Sequence, residues 1–138
     1  MATKQPWSVT VALHLKNIRQ PIFRHSFEVS DADRVTQLMF QLVRDDAAAV
    51  YLNGIEVIRD NLVPGATFDT FAIESVGSET ENDRLPFIIE PVPKGALVNG
   101  TNVLAVEVHQ VNGLSTDLSF DLESILKRNV HRGVLDND

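Results

Sequence analysis

Along most of this chain the apolar positions recur with a period of two, the repeat of a β-strand that buries one face. From Ser8 to Lys16, Val9, Val11, Leu13 and Leu15 alternate with Ser8, Thr10, Ala12, His14 and Lys16, which predicts a first strand. Ile22 to Val29 sets Phe23, His25, Phe27 and Val29 against Arg24, Ser26 and Glu28, a second. After the turn residues Ser30 to Asp33, the run Thr36 to Val43 points Leu38, Phe40 and Leu42 inward. Met39 and Val43 on its other face call for partial cover there. An Asn53-Gly54 pair between two apolar runs is a strong hairpin signal, because both residues tolerate the positive φ of a tight turn. A two-residue turn at that point sets Leu52 opposite Ile55 and Val50 opposite Val57, with Tyr51 and Glu56 on the opposite face.

From Asp60 to Asn99 the alternation weakens and turn residues are frequent. Thr67 to Ile73 and Leu85 to Glu90 read as strands, separated by the acidic segment Glu74 to Asp83, which reads as a solvated, mobile loop. Pro91 and Pro93 end the second of these, and Lys94 to Val98 fits one helical turn. Two closing strands follow, Asn102 to Gln110 and Asp117 to Glu123. Their apolar faces, Leu104/Val106/Val108 and Leu118/Phe120/Leu122, must both meet the core. As an antiparallel hairpin they place Val108 opposite Leu118 and Val106 opposite Phe120. The outer face then carries His109 across from Asp117, Glu107 across from Ser119, and Ala105 across from Asp121. Leu126 to Asp138 is polar and reads as a frayed helix or tail.

About eight short strands with Gly, Asn and Pro punctuation and little helix predict an all-β fold, an antiparallel β-sandwich or jelly roll. A length of 138 residues, 43% of them hydrophobic, suits one domain spanning 1–138, with its core at about 8–123 and a polar tail at 124–138. The net charge of -7 at pH 7 and the scattering of 12 basic residues argue against nucleic acid or an anionic membrane as partner. No cysteine is present, so disulfides and thiolate metal sites are excluded. The N-terminal residues Met1 to Trp7 lack the apolar core of a signal peptide, and no run has the length of a membrane span.

Four blocks carry a family resemblance: Phe23-Arg24-His25-Ser26-Phe27, Arg44-Asp45-Asp46 through Asn53-Gly54, Gly100-Thr101-Asn102 through His109-Gln110, and Asp117 through Glu123. In order and spacing they resemble the galactose-binding-like jelly-roll modules of bacterial proteins, over about Ile22 to Glu123. The resemblance implies a non-catalytic accessory sandwich of the kind appended to secreted enzymes. It implies carbohydrate binding, an extracellular or cell-envelope location, and in many such sandwiches a structural calcium. Ala47 stands where a Gly commonly follows the paired aspartates.

Candidate chemistry follows from this. Glu107, His109, Asp117 and Asp121 on the outer face of the closing hairpin make either a site for sugar hydroxyls or a cation, or a cross-strand His-Asp pair that holds register. Asp45 and Asp46, with Asp121 and Glu123, are the pool of oxygen ligands for calcium, unless Arg44 or Arg59 takes the aspartates in an ion pair. Tyr51 and Trp7 are the aromatics available to stack a sugar, or else to pack beneath a loop and on the sandwich edge. A Ser119-His109-Asp117 set has no nucleophile elbow, and the four histidines have no zinc-ligand spacing, so no enzyme is expected. The alternative to a glycan-binding module is a structural or protein-interaction domain, with a homo-oligomer formed through sheet edges such as Ser8 to Lys16 or through the C-terminal tail.

Overall fold

The computed structural model describes residues 2–13, 22–67, 69–76, 84–112 and 118–128, with the backbone alone described at 2–13 and 118–121. Eight strands run in the order β1 (Ala2–Leu13), β2 (Ile22–Val29), β3 (Val35–Arg44), β4 (Ala47–Leu52), β5 (Ile55–Asp60), β6 (Leu85–Ile89), β7 (Gly100–His109) and β8 (Leu118–Arg128). One turn of 3-10 helix, Ala32–Arg34, precedes β3, and the described residues contain no α-helix. The strands form two four-stranded sheets, β1-β8-β3-β6 and β2-β7-β4-β5, and every neighbouring pair is antiparallel.

Both sheets contribute to one hydrophobic cluster. Leu38, Phe40 and Leu42 of β3 and Leu122 and Leu126 of β8 meet Val50 and Leu52 of β4 and Leu104, Val106 and Val108 of β7. This is the packing of a β-sandwich, in which alternate residues of each strand fill the space between the sheets. The alternation read from β2, β3 and β7 therefore assigns the buried face correctly: Phe27, Val29, Leu38, Phe40, Leu42, Leu104, Val106 and Val108 are all buried. Val43, on the outer side of β3, is also buried, as partial cover there requires.

The structure departs from the sequence expectations in five places. The closing strands are not a hairpin: β7 pairs with β2 and β4, whereas β8 lies in the other sheet between β1 and β3. Two apolar faces that meet a common core can belong to one sheet or to opposing sheets, and alternation does not distinguish these. The expected pairing of His109 with Asp117, and the outer-face cluster built on it, are thereby overturned; Asp121 sits opposite Val43 and Thr10 instead. In the β4–β5 hairpin, Leu52 pairs with Ile55 and Tyr51 with Glu56, but a bulge at Val57 then sets Val50 opposite Ile58. The extra residue turns Ile58 inward, where it is buried. Thr67 to Ile73 is not a strand in its described part, and β8 continues to Arg128, burying Leu126 where a tail was expected. The region 94–98 is a non-helical turn closed by Ala96 N–H donating to the Pro93 carbonyl at 2.9 Å. The acidic residues 77–83 lie outside the described residues.

The end of β8 is tied to the β2–β3 turn by Arg128 Nε, which donates to Asp31 Oδ2 at 2.7 Å. That hydrogen bond, reinforced by the Arg128 charge, holds the Asp31 carboxyl below its ordinary value of 3.8. A carboxylate whose folded pKa is depressed stabilises the fold above its unfolded pKa and ceases to do so as pH falls through the folded value. Arg128→Gln is therefore expected to lower the melting temperature at pH above about 5, with the difference from the parent shrinking as Asp31 protonates below about pH 4. Melts across that range check it; a difference that persists unchanged in acid would separate the effect from Asp31.

Candidate functional site

The outer face of β2-β7-β4-β5 is divided into a covered half and an open half. On β4 the inward residues Ala48, Val50 and Leu52 leave Ala47, Ala49 and Tyr51 facing out. Residues 61–67 and 69–76 lie over the first two, so that Ala47, Ala49, Leu62 and Ala72 form a second buried cluster, with Tyr51, Ala66 and Val111 packed at its margin. Small side chains at 47 and 49 let the backbone of the covering segment approach the sheet. The run Ala47 to Val50, apolar on both faces, was the signal for this cover, since a strand buried on both sides loses its alternation.

Asp46 fastens the cover. Its Oδ1 accepts the Val76 N–H at 2.9 Å and its Oδ2 the Val111 N–H at 2.8 Å. Its own N–H donates to the His109 carbonyl at 3.0 Å, and its carbonyl accepts from Asn61 Nδ2 at 3.0 Å. Asn61 binds the segment again, donating from Nδ2 to the Glu74 carbonyl at 2.6 Å and accepting the Glu74 N–H at 3.2 Å. Ala72 N–H donates to the Gln110 carbonyl at 2.9 Å. The aspartate is thus a backbone-organising group. Asp45 beside it is also buried. Arg44 pairs with Asp60 and Arg59 with Glu56. Glu123 lies on β8 opposite Gln41 and Ser8, and the Asp121 side chain is outside the described residues. Among the described residues no three His, Asp or Glu side chains gather as a metal site would require, so the described oxygen donors do not by themselves make a calcium cage.

His109 is sealed under the same cover at 0% exposure, not displayed on an outer face. Its Nδ1 lies 2.5 Å from the Thr70 carbonyl oxygen, which can only accept, so Nδ1 carries the hydrogen. Nε2 points at Glu107 Oε2, 3.3 Å away. The imidazole therefore links the covering segment to a carboxylate at the boundary of the open half.

That open half is a groove of about 680 Å³ running along β7. Its floor is Val103, Ala105 and Glu107; Ile22 and Arg24 of β2 form one wall, and Tyr51 with the Asn53-Gly54 turn forms the other. The register explains its shape. One row across the sheet reads Arg24, Ala105, Tyr51, Glu56, and the next reads Ile22, Glu107, Ala49, Arg59. A methyl group between a long cation and a phenol leaves a depression, with walls two strand spacings, about 10 Å, apart. From Val103 to Glu107 the floor extends about 13 Å. Tyr51 is half-buried, and partial burial first, then the Glu107 and Glu56 charges, raise its hydroxyl pKa, so it remains a neutral donor. Asn53 is a groove residue by position only. Its Oδ1 accepts the Val103 N–H at 2.8 Å, and its Nδ2 donates to the Ala96 carbonyl at 2.9 Å and to Asn102 Oδ1 at 2.7 Å.

Of the residues singled out from the sequence, the groove brings together Tyr51 and Glu107, with His109 directly behind. Trp7 belongs to β1 of the opposite sheet, with its side chain outside the described residues, and Asp117 lies outside them altogether. Arg24, Ala105 and Ile22 were missed, because which strands flank β7 is not written in any local pattern. Compared with known proteins, the chain matches no family model, and no curated protein matches it in sequence.

Proposed function

We propose that this chain is a non-catalytic binding module of the galactose-binding-like jelly-roll type, and that it takes a carbohydrate in the groove on the outer face of β2-β7-β4-β5. The observation that carries the reading is the register that sets Tyr51, Ala105 and Val103 beside Glu107 and Arg24 in one open depression. A sugar ring offers an apolar C–H face and a rim of hydroxyls. The phenol ring with the alanine and valine of the floor suits the face. The Glu107 carboxylate accepts hydroxyl hydrogens and the Arg24 guanidinium donates to hydroxyl oxygens. Glu107 Oε2 is turned toward His109 Nε2, 3.3 Å away, which leaves the other oxygen to the groove. Catalysis has little support, since the histidine that a nucleophile would need as base is enclosed, with Nδ1 held by the Thr70 carbonyl.

The test is a thermal melt against a panel of mono- and oligosaccharides. A sugar bound only by the folded state, at about 100 times its Kd, adds about 2.7 kcal/mol and raises the melting temperature by several degrees. Glu107→Gln and Ala105→Trp, the second filling the groove from an open outer face, are expected to remove the shift while keeping the unliganded fold. The reading fails if no saccharide shifts the melt, or if the shift survives both substitutions.

A further inference from the structure

The four edges of the two sheets are β1, β6, β2 and β5, and they are not equivalent. An open edge invites a further strand unless a bulge, a proline or brevity discourages it. The pairing of β1 shifts between Lys4 and Ser8, β5 is bulged at Val57, and β6 is five residues long and contains Pro86. None of these devices is present in β2. Its eight residues pair with β7 in unbroken register from Ile22 to Val29, and β7 is its one strand partner among the described residues.

From the order of charges along this edge we infer that β2 is the contact between two copies of the chain, joined antiparallel about a two-fold axis at Ser26. The exposed residues of β2 are Ile22, Arg24, Ser26 and Glu28. An antiparallel pairing centred on Ser26 sets each Arg24 beside the other copy's residue 28, a glutamate, so two opposite-charge pairs flank the axis. On the inner face the same register sets Phe23 against residue 29, a valine, and His25 against residue 27, a phenylalanine. No position meets a like charge, which is the self-complementarity that an isologous interface requires. Thr101, opposite Glu28 on β7, donates to Glu28 Oε2 at 2.5 Å and holds the carboxylate on that outer face, leaving Oε1 for the arginine. The result is one continuous eight-stranded sheet in which the groove of each copy has its Arg24 wall at the junction.

Sedimentation over a dilution series tests this, using the whole chain. The parent is expected to show a concentration-dependent dimer. Arg24→Glu or Glu28→Arg alone turns both flanking pairs into like charges and is expected to weaken the dimer at least about tenfold. The double exchange R24E/E28R restores opposite charges and should recover it. Because the chain has no cysteine, Ser26→Cys provides a geometric check. Residues facing each other across an antiparallel pair have Cα atoms about 4.5 to 5.5 Å apart, within disulfide reach. Mild oxidation is expected to yield a covalent dimer of Ser26→Cys and none of Ser75→Cys, which lies on an exposed loop. A chain that sediments as a monomer at every concentration would leave this edge to a strand of another protein and overturn the proposal. So would a dimer indifferent to the charge reversals, or one in which Ser26→Cys fails to cross-link.

Discussion

Replacing Asp46 by alanine is expected to lower the melting temperature by roughly 10 to 20 °C, from the loss of about 3 to 5 kcal/mol. The carboxylate is 3% exposed and receives two backbone N–H groups, from Val76 and Val111, that approach from segments 30 and 65 residues away along the chain. Alanine leaves both donors in a space that its methyl group does not fill, and each buried unsatisfied donor costs about 1 to 3 kcal/mol. Asparagine is a sharper probe. Its amide presents one accepting oxygen and one donating nitrogen, so at least one N–H would face another N–H, and Asp46→Asn should fall well below the parent despite being nearly isosteric. Asp33→Ala, at an exposed position, serves as the control and should stay within about 0.5 kcal/mol. The effect is local as well as global. The covering segment is held over the sheet at Asn61, Thr70, Glu74 and Val76 by Asp46, Asn61 and His109 together, so limited proteolysis of Asp46→Ala should cut first within that segment. Asp46→Ala melting within a few degrees of the parent would show that the covering segment is retained by other contacts.

The same aspartate marks the boundary of what the sequence discloses. The strands β2, β3 and β7 are legible because each carries a period-two alternation that one buried face imposes, and Asn53-Gly54 locates the β4–β5 hairpin to the residue. Alternation names a face and not a neighbour. Leu118, Phe120 and Leu122 call for a core on one side, and that call is answered equally by a β8 that pairs with β7 and by one that crosses to the opposite sheet. Among the described strands the β4–β5 connection is the one that stays within a sheet, so local pairing is the wrong default for β7 and β8. For the same reason Glu107 and Tyr51 could be chosen from the sequence as outward-facing residues, whereas Arg24 could not be joined to them. Its place on the opposite wall depends on β2 lying beside β7, a pairing across 81 residues at Arg24 and Ala105. Asp46 stood out as one of a charged pair, which suggested a cation. Its actual partners are main-chain N–H groups of a segment without periodicity, and nothing in a carboxylate's sequence neighbourhood separates a metal ligand from a backbone clasp.

Asn102→Leu is expected to cost about 2 to 4 kcal/mol although it replaces a polar side chain with an apolar one of the same branching in a buried position. Asn102 is 0% exposed, and its amide is used on both sides: Oδ1 accepts from Asn53 Nδ2 at 2.7 Å and from the Val98 N–H at 2.9 Å, while Nδ2 donates to the carbonyls of Val98 at 2.8 Å and Gly100 at 3.1 Å. Leucine satisfies none of these and cannot turn the chain between Val98 and Gly100. The loss reaches the β4–β5 turn through Asn53, whose φ of 50 places it in the left-handed region that asparagine tolerates better than most residues. Asn53→Gly keeps that backbone while deleting the side-chain bonds. The two substitutions remove one shared network, so the double variant should be destabilised by clearly less than the sum of the singles. Since Asn53 and Gly54 line one end of the groove, Asn102→Leu should also weaken the saccharide binding proposed for it without touching the sugar. Full additivity in the double-mutant cycle, measured by chemical denaturation, would mean that the turn and the 98–102 segment are held independently and that the groove's end is set by the hairpin alone.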